Sequence, residues 1–281
     1  MWNEDMKDAI GDYCLINDRI APVSELGQFI SVSDFPAYEV LRIKEGILLF
    51  LEDHMQRLKN TFSIVSREGI ADLEPIPDQL KHLIRQNQIR SGAVKLLFFQ
   101  FEGKSQSVFY QMQPYGPREE EYQTGVKAIS LYLERLNPNA KIWNEAFRKT
   151  TNAEIHKAKA FEAVLINRDG FVTEGSRSNI FFVKGGILFT PPLENVLPGI
   201  TRKNVMEVCK RLNIKVEVRP ISFHEISQFD AAFLTGTTRI QVPIRIIDNI
   251  PFNPGNQLVE QIIDGFRELV VEYIRWALKH K

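Results

Sequence analysis

Apolar and polar positions change period along the chain, and the changes mark out elements. Residues 13–16 and 19–23 are short extended runs around a turn at Asn17-Asp18. Residues 38–43 and 47–51 flank Lys44-Glu45-Gly46, a short loop with a glycine able to take positive φ, which predicts a hairpin. The spacing then switches to threes and fours. Met55, Leu58, Phe62 and Val65 share one face of a helix that starts near Glu52-Asp53. Residues 78–90, after Pro75 and Pro77, form a less regular helical stretch. Residues 93–101 and 107–113 then make a second hairpin around Glu102-Gly103-Lys104.

The pattern breaks at residues 113–124, where two prolines, a glycine and the acidic run 119–121 read as a solvated linker. The expected division is a domain 1–117 and a domain 118–281. Beyond the linker, strands and helices alternate. Residues 126–133, 162–167, 171–173, 179–183, 187–190, 215–218, 231–234 and 241–247 read as strands. Asp169-Gly170 and Gly185-Gly186 mark tight turns among them. Helices are expected at 145–159 and at 201–212, the latter with Val205, Val208, Cys209 and Leu212 on its buried stripe. A third is expected at 257–279, with Leu258, Ile262, Phe266, Leu269, Tyr273, Trp276 and Ala277 inward.

Composition narrows the classes. With 44% hydrophobic and 25% charged residues, the chain has enough apolar material to offset its conformational entropy. Lys plus Arg and Asp plus Glu are both 35 of 281 residues, and a net charge of zero argues against a dedicated nucleic-acid binder. No apolar run nears the roughly 18 residues that cross a bilayer, and the acidic N-terminal stretch lacks the apolar core of a secretory signal. Cys14 and Cys209, far apart in sequence, suit a reducing compartment, so the expectation is a cytoplasmic protein.

Candidate chemistry is scattered. The glycine-rich nucleotide motifs are absent, and the five histidines fall at no metal-binding spacing, so no metal is expected. Five short segments remain: Glu52-Asp53-His54-Met55-Gln56-Arg57-Leu58; Asn139-Ala140-Lys141-Ile142-Trp143-Asn144; Thr173-Glu174-Gly175-Ser176-Arg177-Ser178-Asn179-Ile180-Phe181; Thr190-Pro191-Pro192 continuing to Leu197-Pro198-Gly199-Ile200-Thr201-Arg202; and Leu234-Thr235-Gly236-Thr237. On its own, Gly199-Ile200-Thr201 reads as a helix opening. Its amides and dipole suit a phosphate, and Thr201 is a candidate N-cap.

The order and separation of these segments resemble the class IV aminotransferases, pyridoxal-phosphate enzymes of fold type IV. That family includes branched-chain and D-amino acid aminotransferases and aminodeoxychorismate lyases. The resemblance spans about residues 12–265. It implies an α/β (α+β) fold of two domains: a smaller N-terminal α/β domain and a larger C-terminal cofactor-binding α/β domain built as a pseudo-barrel. It also implies a homodimer.

Such a cofactor needs a lysine to hold it, an acid against its pyridine nitrogen, a phosphate cradle and a wall for its ring. The resemblance assigns the lysine to Lys141, 33 residues before Glu174, whereas Lys149 and Lys157 fall within the expected helix. Glu174 is the matching acid and Arg57 the phosphate arginine. Ser178, Asn179, Leu197, Gly199, Ile200, Thr201, Gly236 and Thr237 complete the cofactor contacts, and Asn144 orients the ring hydroxyl. Tyr38 and Lys95 fall on substrate-contacting positions. Lys95 stands where the branched-chain enzymes carry an arginine, and residues 33–37 replace a glycine-rich approach. The expected activity is transfer of an amino group from an amino acid, branched-chain-like, to a 2-keto acid. The alternatives are carbon–carbon cleavage of aminodeoxychorismate, or a non-catalytic protein that binds the cofactor.

Overall fold

The computed structural model describes residues 8–29, 36–65, 73–101 and 104–280. Residues 33–35 and the turn residues 102–103 lie outside the described residues. The chain divides into two units. One takes Met1–Tyr115, Ala140–Trp143 and Tyr273–Lys281, the other Gly116–Asn139 and Asn144–Glu272.

The first unit is built on a six-stranded antiparallel sheet. Its strands are β1 (Ala9–Ile16), β2 (Arg19–Pro22), β3 (Ala37–Lys44), β4 (Ile47–Leu48), β5 (Ser91–Phe101) and β6 (Lys104–Met112), in the order β2-β1-β6-β5-β3-β4. The expected strand 47–51 stops at Leu48, because helix α1 (Leu51–Ile64) begins straight after Phe50 takes a left-handed conformation, φ 55°. Helix α2 (Ile76–Gln86) is shorter than the expected 78–90 stretch and ends where Gln88 turns left-handed. Alternation along β3 and β5 sends Leu41, Ile43, Leu96 and Phe98 into a core with α1 and α2. Tyr38, Val40, Leu97 and Phe99 go to the opposite face, packed with Trp143.

α1 departs from its expected pattern. Leu58 is buried as expected, but so are His54, Arg57 and Thr61, while Met55 and Phe62 are only partly buried. Polar groups enter here because Glu39, the alternate residue to Tyr38 on β3, is itself fully buried and needs partners.

The second unit holds a mixed ten-stranded sheet, introduced by a single helical turn, α3 (Glu121–Thr124). Its strands are β7 (Val126–Tyr132), β8 (Glu162–Ile166), β9 (Phe171–Gly175), β10 (Asn179–Lys184), β11 (Ile187–Thr190), β12 (Val216–Val218), β13 (Ile221–Ser222), β14 (Ala231–Gly236), β15 (Ile240–Ile247) and β16 (Ile250–Pro251). The order is β12-β11-β10-β14-β15-β7-β8-β9-β13, with β16 on β15. β15-β7-β8 run parallel, and α4 (Glu145–Lys157) provides the crossover between β7 and β8. β10, β14 and β15 are antiparallel neighbours. One face buries Ile180, Phe182, Ala232, Leu234, Val242 and Ile244.

α5 (Ile200–Arg211) buries Val205, Val208 and Cys209, but Leu212, expected on the stripe, ends the helix exposed. α6 (Gln257–Lys279) closes the chain. Its buried stripe runs through Val259, Ile262, Phe266, Val270 and Ile274, so Trp276, expected inward, is exposed.

Candidate active site

In the first unit, Lys141 is fixed by its backbone. Ala37 and Ile142 form an antiparallel bridge, the Tyr38 amide donates to the Lys141 carbonyl at 3.0 Å, and the Trp143 amide donates to the Pro36 carbonyl at 2.8 Å. The Lys141 amide donates to Thr61 Oγ1 of α1 at 3.1 Å. A single bridge thus ties residues 141–143 to the start of β3, and the Lys141 Nζ lies 4.4 Å from the Tyr38 ring centroid. Trp143 meets Tyr38 edge-on at 5.8 Å. Lys95 lies buried beyond it, its Nζ 4.8 Å from the Trp143 ring and 3.4 Å from the Asp8 carboxylate. Tyr38, Lys95 and Lys141 are therefore brought to one aromatic cluster.

Arg57 closes its planar fork on Glu39. Nε donates to Oε1 at 2.8 Å and Nη2 to Oε2 at 2.7 Å, with His54 Nδ1 2.9 Å from Oε2. Burial pushes the Glu39 carboxyl up, but the Arg57 charge and the hydrogen bonds from Arg57 and His54 outweigh it and hold the group well below its usual range. Burial lowers His54. That effect of burial outweighs the opposing pull of Glu39, and the Arg57 and Lys141 charges add to the lowering. Glu39 and His54 were not singled out in sequence. Their only signal was a carboxylate beside Tyr38 in an apolar strand, and His54 and Arg57 one helical turn apart.

In the second unit, Glu174, one residue from the end of β9, has both carboxylate oxygens held. Arg135 Nε donates to Oε1 at 2.8 Å, and the Leu197 amide and Asn179 Nδ2 donate to Oε2 at 3.0 and 3.3 Å. Arg135 was also missed, since Glu134-Arg135 in a loop carries no distinguishing signal. Asn179 Nδ2 donates to the Leu197 carbonyl as well, at 2.9 Å. A Cβ at Gly199 would run into the Asn179 side-chain oxygen, which gives that glycine a packing reason. Glu174, Asn179, Leu197 and Gly199 are brought together. Ser178 instead faces away, donating to Glu162 at 3.0 Å, and Asn144 Oδ1 accepts from the Phe147 amide at 3.0 Å as the N-cap of α4.

Only Pro198 and Gly199 separate Leu197 from Ile200, the first residue of α5. Gly199, not Thr201, is the N-cap, and no side chain caps the helix. The first-turn amides and the positive end of the helix dipole are thus left for another acceptor. Gly236 and Thr237 open the β14–β15 turn. Thr235 pairs with Asn179 on one side and Gln241 on the other, so these three side chains share a sheet face. Thr235 Oγ1 and Gln241 Nε2 are buried with no hydrogen-bond partner among the described residues. Such atoms are costly unless something meets them. An accepting carboxylate, the open amides of a helix end and unmet buried polar atoms form a set of groups that fits a phosphorylated pyridinium ring. Among the described residues, no cluster of three or more side chains could hold a metal ion.

Comparison with known proteins agrees. The profile of the amino-transferase class IV family matches residues 36–247. The chain is 31% identical to a D-alanine aminotransferase of Bacillus licheniformis, over 86% of this chain and 90% of that one. It is 28% identical to the branched-chain-amino-acid aminotransferase of Escherichia coli K12, over 72% of each. Its fold matches that of the branched-chain amino acid aminotransferase from Thermobaculum terrenum in its pyridoxal-phosphate form. That match has a TM-score of 0.80 at 24% identity and covers 95% of both chains.

Proposed function

The chain belongs to the class IV aminotransferase family, and from that premise we propose that it moves the amino group of an apolar, branched-chain amino acid to a 2-keto acid. The family is one of pyridoxal-phosphate-dependent enzymes, and this chain is an enzyme of it. The observation that carries the reading is the segment 197–201. Its first amide holds Glu174 and its last residues open an uncapped helix, so one short stretch serves both a ring acid and a phosphate cradle.

When bound, pyridoxal phosphate supplies a ring that takes up the charge left at Cα when the Cα proton departs. Lys141 Nζ would hold the cofactor covalently and, when freed from it, would be the base that takes the Cα proton and delivers it to the cofactor rather than back to Cα. Glu174, oriented by Arg135, Asn179 and the Leu197 amide, would keep the pyridine nitrogen protonated. The Ile200 and Thr201 amides, with Gly236 and Thr237, would hold the phosphate.

Val40 and Trp143, partly exposed at the edge of the apolar cluster around Tyr38, support an apolar substrate. Cys14 and Cys209 are free and buried, their thiols pushed up to about 11 and about 12 by burial, which supports residence in a reducing cytoplasm. We place the enzyme there as a homodimer, which sedimentation equilibrium checks.

A screen of both enantiomers of amino donors against 2-oxoglutarate and pyruvate tests the activity. Turnover with L-leucine, L-isoleucine or L-valine is expected. Preference for D-alanine would move the chain to the other branch of the family. Release of pyruvate from aminodeoxychorismate without a keto-acid acceptor would make it a lyase.

A further inference from the structure

Glu162 opens β8 with its side chain fully buried, and its carboxylate gathers four donors. Oε1 accepts from Ser176 Oγ at 2.5 Å and from the Ala163 amide at 3.0 Å. Oε2 accepts from Ser178 Oγ at 3.0 Å and from Arg239 Nη1 in a buried ion pair. Ser176 and Ser178 lie in the turn that follows Glu174, while Arg239 lies two residues after Thr237. One carboxylate is therefore tied to both stretches.

Local backbone features agree with a constrained junction. A Cβ at Gly175 would run into Ser178 Oγ and crowd the Glu162 side chain, so the turn packs directly on this carboxylate. Ile240, next to Arg239, has φ 62°, a left-handed conformation that a β-branched residue keeps only where its surroundings enforce it. Arg239 is well placed to enforce it. Its guanidinium lies 4.9 Å from the Phe161 ring and pairs with Glu162, and its carbonyl accepts from the Tyr122 hydroxyl at 3.1 Å.

Resting on the reading of Glu174 and Thr237 as cofactor ligands, we propose that Glu162 is a positioning residue. It couples the 174–178 turn to the 236–239 loop, so that ring acid and phosphate donors are presented at a fixed separation. Glu162 touches neither the cofactor nor the substrate in this role. A two-ended ligand gains from such fixing because its second contact becomes intramolecular. A fragment that reaches one end gains nothing.

The test compares pyridoxal phosphate with pyridoxal and with inorganic phosphate, each titrated into the apo-protein. Two variants are used: Glu162→Gln combined with Arg239→Met, which removes the buried charge pair as a whole, and Ser176→Ala combined with Ser178→Ala, which leaves the pair intact. Pyridoxal phosphate affinity should fall by about tenfold or more in each folded variant, with pyridoxal and phosphate affinities changed less than about threefold. Unchanged pyridoxal phosphate affinity, or an equal fall for all three ligands along with the apo melting temperature, would overturn the coupling and leave a plain structural pair. Failure of the wild-type protein to bind pyridoxal phosphate at all would overturn the cofactor reading itself, and the coupling with it.

Discussion

Glu39 and Glu174 are both buried glutamates on strands, each held by an arginine, yet they are built for different ends. Glu39 lies inside the first unit between β3 and α1, and its partners, Arg57 and His54, come from a single turn of one helix. Glu174 lies at a strand end, and its partners come from the 135 loop, from β10 and from the segment leading into α5. The first is a closed counter-ion within a helix–sheet contact. The second is oriented from three directions, as a group must be if its geometry matters to something beyond the fold. The comparison teaches that burial and an arginine partner do not by themselves separate structural from chemical carboxylates.

Arg57→Ala should break the first arrangement most severely. It leaves Glu39 buried without its arginine, and loss of one partner from a buried pair costs about 3–5 kcal/mol. Urea unfolding should show a loss of that order before any cofactor effect can be read. A loss under about 1 kcal/mol would mean the pair is replaceable by water, and Arg57 could be assigned to phosphate alone.

Glu174→Gln should spare the fold and strike the reaction. Its cost belongs to proton removal from Cα, on the scale of one preorganised electrostatic contact. That is about 3–4 kcal/mol, or a fall of roughly 10²–10³ in kcat. Single-turnover kinetics with the best donor decide it, and a rate within a few-fold of wild type in a cofactor-loaded variant would make Glu174 a second Glu39.

Thr201→Ala sharpens the contrast at the cradle. Removing one hydroxyl from a charge-assisted set should weaken pyridoxal phosphate binding by about 1.5–3 kcal/mol with little change in a saturated rate. Equal affinity in wild type and variant would assign the phosphate to backbone amides only.

Acid should loosen the first unit gradually. Both His54 and Glu39 have lowered pKa values in the fold. Below the ordinary histidine value of 6.5 the unfolded chain binds a proton at His54 that the folded chain refuses, and below 4.5 the same holds at Glu39. Their contribution is complete above those values and is lost as pH falls, at up to about 1.4 kcal/mol per pH unit for each proton. Denaturation midpoints between pH 7 and pH 4 measure the slope, and His54→Gln should flatten its upper part. A slope unchanged in that variant would show that His54 is not the group titrating.

Much of this was legible in the chain because it rests on local periodicity and fixed spacing. The period-two runs on β3 and β5 and the helix at α5 depend on residues a few positions apart, and the Lys141, Glu174 and Gly199 segments are each short and follow in a fixed order. Contacts across long separations were not legible. The Glu39–Arg57 pair reads as two unrelated charges, because alternation says which strand face a residue takes but not what a helix brings to that face. Arg135 on Glu174 joins residues 39 apart, and Arg239 on Glu162 joins residues 77 apart. Asn144, assigned to the ring hydroxyl by resemblance, has its side-chain oxygen taken by a helix amide. The sequence by itself determined which segments would be strands, helices and turns, since backbone preference and side-chain period are local. The tertiary structure alone decided which buried charges meet, because desolvating a charge is tolerable only where the fold delivers its partner.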